Sequence, residues 1–166
     1  MRRSLLVSVF LLTFLFPAAA AHADDVSAWA FSIGSFELVD ERFEALELGV
    51  EYRFDSFPFW FLELQPVVGI SGTDEEAIWG YGGFRQDLPT LGDRWVPTIG
   101  FAVALYENGD GKDLGGVLEF RSSIDIAYQW DDGSRLGLSF YHLSNASIYE
   151  SNPGSESLVL TYSFRR

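Results

Sequence analysis

From Ala45 to Phe54 the chain changes character at every residue. Leu46, Leu48, Val50, Tyr52 and Phe54 share one parity, while Glu47, Gly49, Glu51 and Arg53 share the other. Successive side chains of a strand point to opposite faces, so a period of two predicts a strand with one greasy and one polar side. A second long run spans 118–130. There Leu118, Phe120, Ile124, Ile126, Tyr128 and Trp130 oppose Glu119, Arg121, Ser123, Asp125 and Gln129. Weaker alternation marks 27–36, 59–71, 77–85, 95–106, 134–145 and 155–164. Eight strands of roughly ten residues have the length of tilted membrane-crossing strands.

The composition of the two faces selects the architecture. In a soluble sandwich the polar face meets water and carries scattered charge. Here one face is almost purely Leu, Ile, Val, Phe, Tyr and Trp, and the other mixes Glu, Arg, Gln, Ser and Gly. Such polar residues can pair inside a small filled barrel while the apolar face meets hydrocarbon. Aromatics gather at strand ends, as at Phe54, Phe57, Phe59, Trp60 and Phe61, which is the pattern of an interfacial girdle. The expected fold is all-β, an eight-stranded antiparallel transmembrane β-barrel of the bacterial outer membrane. A soluble periplasmic lipid-binding barrel is the weaker alternative.

The N-terminus carries Met1-Arg2-Arg3, an apolar run from 5 to 16, Pro17, and Ala21-His22-Ala23. Basic start, short apolar run and small-x-small ending predict a cleaved signal peptide over 1–23, leaving 24–166 as a single barrel. With 24 acidic against 11 basic residues, the formal charge of −13 excludes nucleic acid as a partner. There is no cysteine, so no disulfide supports an exported chain. Loss of His22 with the signal would leave His142 as the sole histidine, so no histidine cluster for a metal is expected. The run 107–113 is acidic but lacks the ligand spacing of an EF-hand loop, and reads as a solvated loop. With the N-terminus in the periplasm, 39–43, 72–76, 107–113 and 146–154 become outer loops. The turns at 55–58, 87–94 and 131–133 are then periplasmic. Pro66 lacks a ladder donor inside its strand, and a bulge there would make that strand's parity unreliable. Arg53, Arg85 and Arg121 fall on the inner face, with Glu119, Glu63 and Glu51 as expected partners.

The stretch 141–147 bears the chemistry. His142 and Ser144 share the parity of Leu136, Leu138 and Phe140, and Glu156 shares that of Leu158, Leu160, Tyr162 and Phe164. Polar groups on a lipid-facing wall are costly unless they bond one another. A register pairing His142 with Glu156 would set a carboxylate beside the imidazole. These are the parts of an ester hydrolase, with Ser144 as nucleophile, His142 as base then acid, and Glu156 as orienter. Asn152 or Asn145, with a backbone N–H near 146–147, would supply an oxyanion hole. Against this stand two plainer facts: a lone His-x-Ser is a weak motif, and Asn152-Pro153-Gly154 is an ordinary turn sequence.

His142-Leu143-Ser144-Asn145-Ala146, followed by Asn152-Pro153-Gly154 and Glu156, resembles the C-terminal motif of the outer-membrane lipid A 3-O-deacylases, the PagL family. The close match covers 141–156, and strand count and length agree along the rest. The resemblance implies an eight-stranded barrel whose site lies on the lipid-exposed wall, with the family's histidine on His142, serine on Ser144, acid on Glu156 and oxyanion asparagine on Asn152. It implies hydrolysis of the ester-linked 3-hydroxyacyl chain at the 3 position of lipid A, with lipopolysaccharide as substrate and no cofactor. The ending Phe164-Arg165-Arg166 departs from the usual terminal aromatic of outer-membrane strands. The rival reading is a non-enzymatic small barrel, an adhesin or structural surface protein. The sequence leaves acyl preference and oligomeric state open, a homodimer included.

Overall fold

The computed structural model describes residues 27–166; the signal peptide expected over 1–23 lies outside them. Nine strands form one sheet: β1 (Ala28–Phe36), β2 (Ala45–Arg53), β3 (Phe57–Phe59), β4 (Leu62–Thr73), β5 (Ile78–Asp87), β6 (Trp95–Glu107), β7 (Leu118–Gln129), β8 (Arg135–Ser144) and β9 (Ser155–Arg165). Every pairing is antiparallel, β1 pairs with β9, and β2 also pairs with β4, which closes the ring. β3 is a three-residue stub that pairs only with the start of β4. The other eight strands make the wall, so the chain is an eight-stranded antiparallel closed barrel. Closure leaves no unpaired edge in the wall, the condition for crossing hydrocarbon with strands.

The alternation read from the sequence becomes inside and outside. Along β2 the residues Ala45, Glu47, Gly49, Glu51 and Arg53 are buried, while Leu46 and Leu48 are exposed. Along β7, Glu119, Arg121, Ser123 and Asp125 are buried and Ile124 is exposed. Exposed Phe, Ile, Leu, Val and Trp side chains cover the wall from Phe31 to Phe164. Such a belt would drive association in water and is stable only against lipid.

The bore is packed in layers. At the end carrying the loops 37–44, 74–77, 108–117 and 145–154, Phe36, Trp79, Tyr106 and Leu114 make an apolar plug, with the Phe36 and Trp79 rings 5.3 Å apart. Below it lies an ionic layer. Arg53 Nε donates to Glu51 Oε1 at 2.8 Å, Arg85 pairs with Asp125 at 3.1 Å, and Tyr81 Oη donates to Glu51 Oε2 at 3.1 Å. Tyr141 donates to Glu47. Nearer the end bearing the short turns, Arg135 pairs with Asp87 at 2.7 Å.

Four readings from the sequence are revised here. Arg121 sits between two rings, 3.9 Å from the Tyr141 centroid and 4.9 Å from that of Tyr81, and makes no ion pair with Glu119. Glu63 is exposed in the β3–β4 hairpin and does not enter the bore. Pro66 introduces no bulge, because the β4–β5 register runs unbroken from Leu64↔Gln86 to Gly72↔Ile78. Its carbonyl accepts from Phe54 N at 2.9 Å, just beyond the last β2–β4 pair, Arg53↔Val67. The missing N–H points the same way, so it costs only one bond of the final rung, where the β2 ladder stops. The expected turn at 55–58 is likewise displaced, since the chain reverses at Trp60, which adopts a φ of 57°.

Candidate active site

The strand register brings the first two residues together. β8 and β9 pair with His142 opposite Glu156, and His142 Nδ1 lies 3.0 Å from Glu156 Oε1. Both side chains are on the outer wall, 41% and 30% exposed. The carboxylate occupies Nδ1, so the remote nitrogen Nε2 is the one left to face a reacting group. Ser144 ends β8 on the same face, opposite Phe120 of β7. Residues two apart on a strand lie about 7 Å apart at Cα, within reach of an imidazole and a hydroxyl. The Ser144 hydroxyl makes no hydrogen bond to His142 or to any other described residue; catalytic bonds of this kind often tighten only with substrate.

The loop 145–154 is organised around Asn145, which points into the barrel and is fully buried. Its Nδ2 donates to Leu114 O at 2.8 Å and Ser151 O at 2.9 Å, and its Oδ1 accepts from Ser147 N at 3.0 Å. Both amide hydrogens are therefore committed. Its backbone N–H donates to Asn152 Oδ1 at 3.0 Å. Because the partner is a donor, the atom of Asn152 facing it must be the oxygen, which leaves the Asn152 amide nitrogen free of the brace. Asn152 itself is exposed. Ala146 and Ser147 take φ values of 51° and 62°, turning the chain sharply after Ser144. Of the two backbone donors expected near the oxyanion, the Ser147 N–H is already used. The Ala146 N–H is not paired among the described residues.

The surroundings are apolar on one side and braced on the other. Phe120 stacks on Phe101 at 5.9 Å, and Leu118, Phe140 and Leu158 continue the wall around Ser144. Tyr149 Oη accepts from Leu118 N at 3.1 Å, laying the loop over the end of β7. Just beyond the last β1–β9 pair, Leu38 N donates to Glu156 O at 2.9 Å, so the start of the 37–44 loop is tied to the strand bearing Glu156. Glu37, fully buried, accepts from Lys112 Nζ at 2.5 Å and from the amides of Val39 and Asp40. Burial alone would raise its pKa, but the Lys112 and amide hydrogen bonds prevail and hold it below the usual glutamate range.

Three of the five singled-out residues thus line one outward patch: His142 and Glu156 in contact, with Ser144 beside them. Asn152 borders it, and Asn145 is turned inward. The sequence reading quoted Gly154 only as part of a turn and missed its place beside the imidazole, where it is buried. A glycine in a turn triplet carries no signal of what it touches in space.

A closed eight-stranded barrel with a lipid-facing belt and a charged, filled bore defines a small outer-membrane β-barrel. The sequence model of the family described as Lipid A 3-O-deacylase (PagL) matches residues 44–165, and the chain belongs to that family. The lipid A deacylase PagL of Bordetella bronchiseptica is 29% identical over 112 residues, covering 63% of this chain and 63% of that protein. The chain thus matches less than two thirds of that relative's length. A crystal structure of the outer membrane enzyme PagL aligns at a TM-score of 0.65 and 20% identity, over 84% of this chain and 99% of the other, a likeness of fold.

Proposed function

We propose that this protein is a lipid A 3-O-deacylase, hydrolysing the ester that joins a 3-hydroxyacyl chain to the 3 position of lipid A. The observation that carries the reading is the 3.0 Å His142–Glu156 contact on the lipid-facing wall, two residues from the Ser144 hydroxyl, which has no hydrogen-bond partner among the described residues. A histidine, a carboxylate and a serine set there serve no packing purpose, since their neighbours of the same parity are Phe140 and Leu158. The loop end faces the cell exterior in this account, so the patch meets the leaflet that holds lipopolysaccharide. Export would rest on residues 1–23 acting as the cleaved signal.

Ser144 Oγ attacks the acyl carbonyl carbon while His142 Nε2 takes the hydroxyl proton. Glu156 fixes the ring through Nδ1 and stabilises the imidazolium that forms. Negative charge on the former carbonyl oxygen is met by the Asn152 amide and the Ala146 N–H; Asn145 is unsuited because both its amide hydrogens are committed. The tetrahedral adduct collapses, the sugar oxygen leaves with the proton from His142, and Ser144 carries the acyl group. Water, deprotonated by the same imidazole, attacks this acyl-enzyme and releases the free 3-hydroxy fatty acid. The substrate enters sideways from the leaflet, with its chain along Phe120 and Phe101.

The test is mass spectrometry of lipid A incubated with the detergent-purified protein and with Ser144→Ala. The expected result is loss of one 3-hydroxyacyl chain with the parent and at least a thousandfold slower loss, on the order of that seen when a nucleophile is removed, with the variant. If the folded parent removes no chain from any of several acylation patterns, the protein is a structural barrel instead.

A further inference from the structure

We infer that Gly154 is a positioning residue for the base: its bare Cα forms the stop against which the His142 imidazole rests, and a side chain there would unseat the ring. The inference rests on the catalytic reading of His142. A Cβ built on Gly154 would lie 2.7 Å from His142 Cε1 and 3.3 Å from Nε2. The same Cβ would lie 3.3 Å from Leu143 O. A carbon at 2.7 Å overlaps the ring, and the carbonyl of Leu143 belongs to the rigid strand β8, so the ring is what would yield.

The imidazole is thereby held at two edges. Glu156 holds Nδ1 at 3.0 Å, and Gly154 flanks the ring on its Cε1 side, where a Cβ would lie 2.7 Å away. A ring fixed on one side only could swing about χ2 and carry Nε2 away from Ser144. Gly154 has a φ of 66°, in the left-handed region that glycine enters without strain. Pro153 restricts the chain just before it. Asn152, two residues earlier, is locked by Asn145 N at 3.0 Å. Residues 152–154 therefore act as one brace that carries the oxyanion donor at one end and the stop for the base at the other. Catalysis is sensitive to displacements of this kind, since a shift of about 1 Å costs up to about a hundredfold in rate.

A control for backbone strain exists in the same molecule. Gly92 has a φ of 65°, and a Cβ there would meet nothing within 4 Å. Gly92→Ala therefore imposes a like conformational penalty at the opposite end of the barrel without touching any side chain. The experiment measures kcat and KM on lipid A micelles for the parent, Gly154→Ala, Gly92→Ala and His142→Ala, each checked for heat-modifiable migration as a folded barrel. Gly154→Ala is expected to lose about tenfold to a hundredfold in kcat with KM within about twofold, and Gly92→Ala to match the parent. Equal kcat in Gly154→Ala and Gly92→Ala overturns the inference. A fully active His142→Ala overturns the catalytic reading itself, which is a different failure. Should Gly154→Ala not fold, NMR of the parent decides. A contact between His142 Hε1 and the Gly154 α-protons supports the stop, and its absence rejects it.

Discussion

At the scale of single residues, the two asparagines of the loop separate position from chemistry. Both are polar residues beside a serine in the sequence, and nothing in their order tells which one faces the substrate. The structure divides them by burial: Asn145 is fully buried with its amide shared among Leu114, Ser151 and Ser147, while Asn152 is exposed and spends only its oxygen. The two should fail differently. Asn152→Ala is expected to lower kcat by about a hundredfold to a thousandfold, the usual effect of deleting an oxyanion donor, with the barrel's urea midpoint unchanged. Asn145→Ala should instead loosen the whole loop, seen as faster hydrogen exchange at 146–152 together with lost activity. If Asn152→Ala keeps full kcat, the oxyanion assignment is wrong.

At the scale of elements, strands were legible and loops were not. Alternation is a local signal, so the β2 and β7 faces and the shared parity of His142, Ser144 and Glu156 could be read directly. Register is not local, and the His142↔Glu156 pairing is fixed only by the folded sheet. Depth within the bore is not local. Arg121 was expected to pair with a carboxylate and lies between Tyr81 and Tyr141, because parity tells which face a residue occupies but not what meets it there. Pro66 put the parity of its strand in question, but the end of the β2 ladder, a tertiary fact, accommodates it without a bulge. The lacing of the loop end was equally invisible, since Glu37 and Lys112 are 75 residues apart. That pair predicts a pH effect. The folded pKa of Glu37 is depressed, so the stabilisation is complete above the unfolded value of about 4.3 and is lost as pH falls through the lower folded value. Hydrogen exchange in the 37–44 loop should therefore accelerate below about pH 4 in the parent. Lys112→Met should bring the same acceleration at neutral pH, with a stability loss of about 3 kcal/mol for stranding a buried carboxylate. Unchanged exchange in Lys112→Met at pH 7 would show that the pair does not hold the loop.

For the whole molecule, the barrel turns the usual arrangement of a soluble protein inside out. Charges and tyrosines fill the bore, an apolar plug closes the loop end, and the greasy face is given to lipid, where the candidate site also lies. Under the proposed function no channel is needed, because a substrate already resident in the leaflet reaches the wall by lateral diffusion. The belt should respond to charge as lipid-facing strands do. Leu138→Arg, in mid-strand opposite Ile126 and Leu160, is expected to destabilise the barrel by about 2–4 kcal/mol in vesicles. A much smaller loss in urea titrations would place that face away from hydrocarbon. The central claim is that an outward-facing Ser144 takes the acyl group from a lipid in the same membrane. The most direct measurement is acid-quench capture of the reacting protein with lipid A, followed by intact-mass and peptide mapping. The account predicts an added 3-hydroxyacyl mass on the peptide containing Ser144, absent in Ser144→Ala. An adduct on another residue, or steady deacylation with none captured even under single-turnover conditions with an accumulating slow substrate, would contradict it.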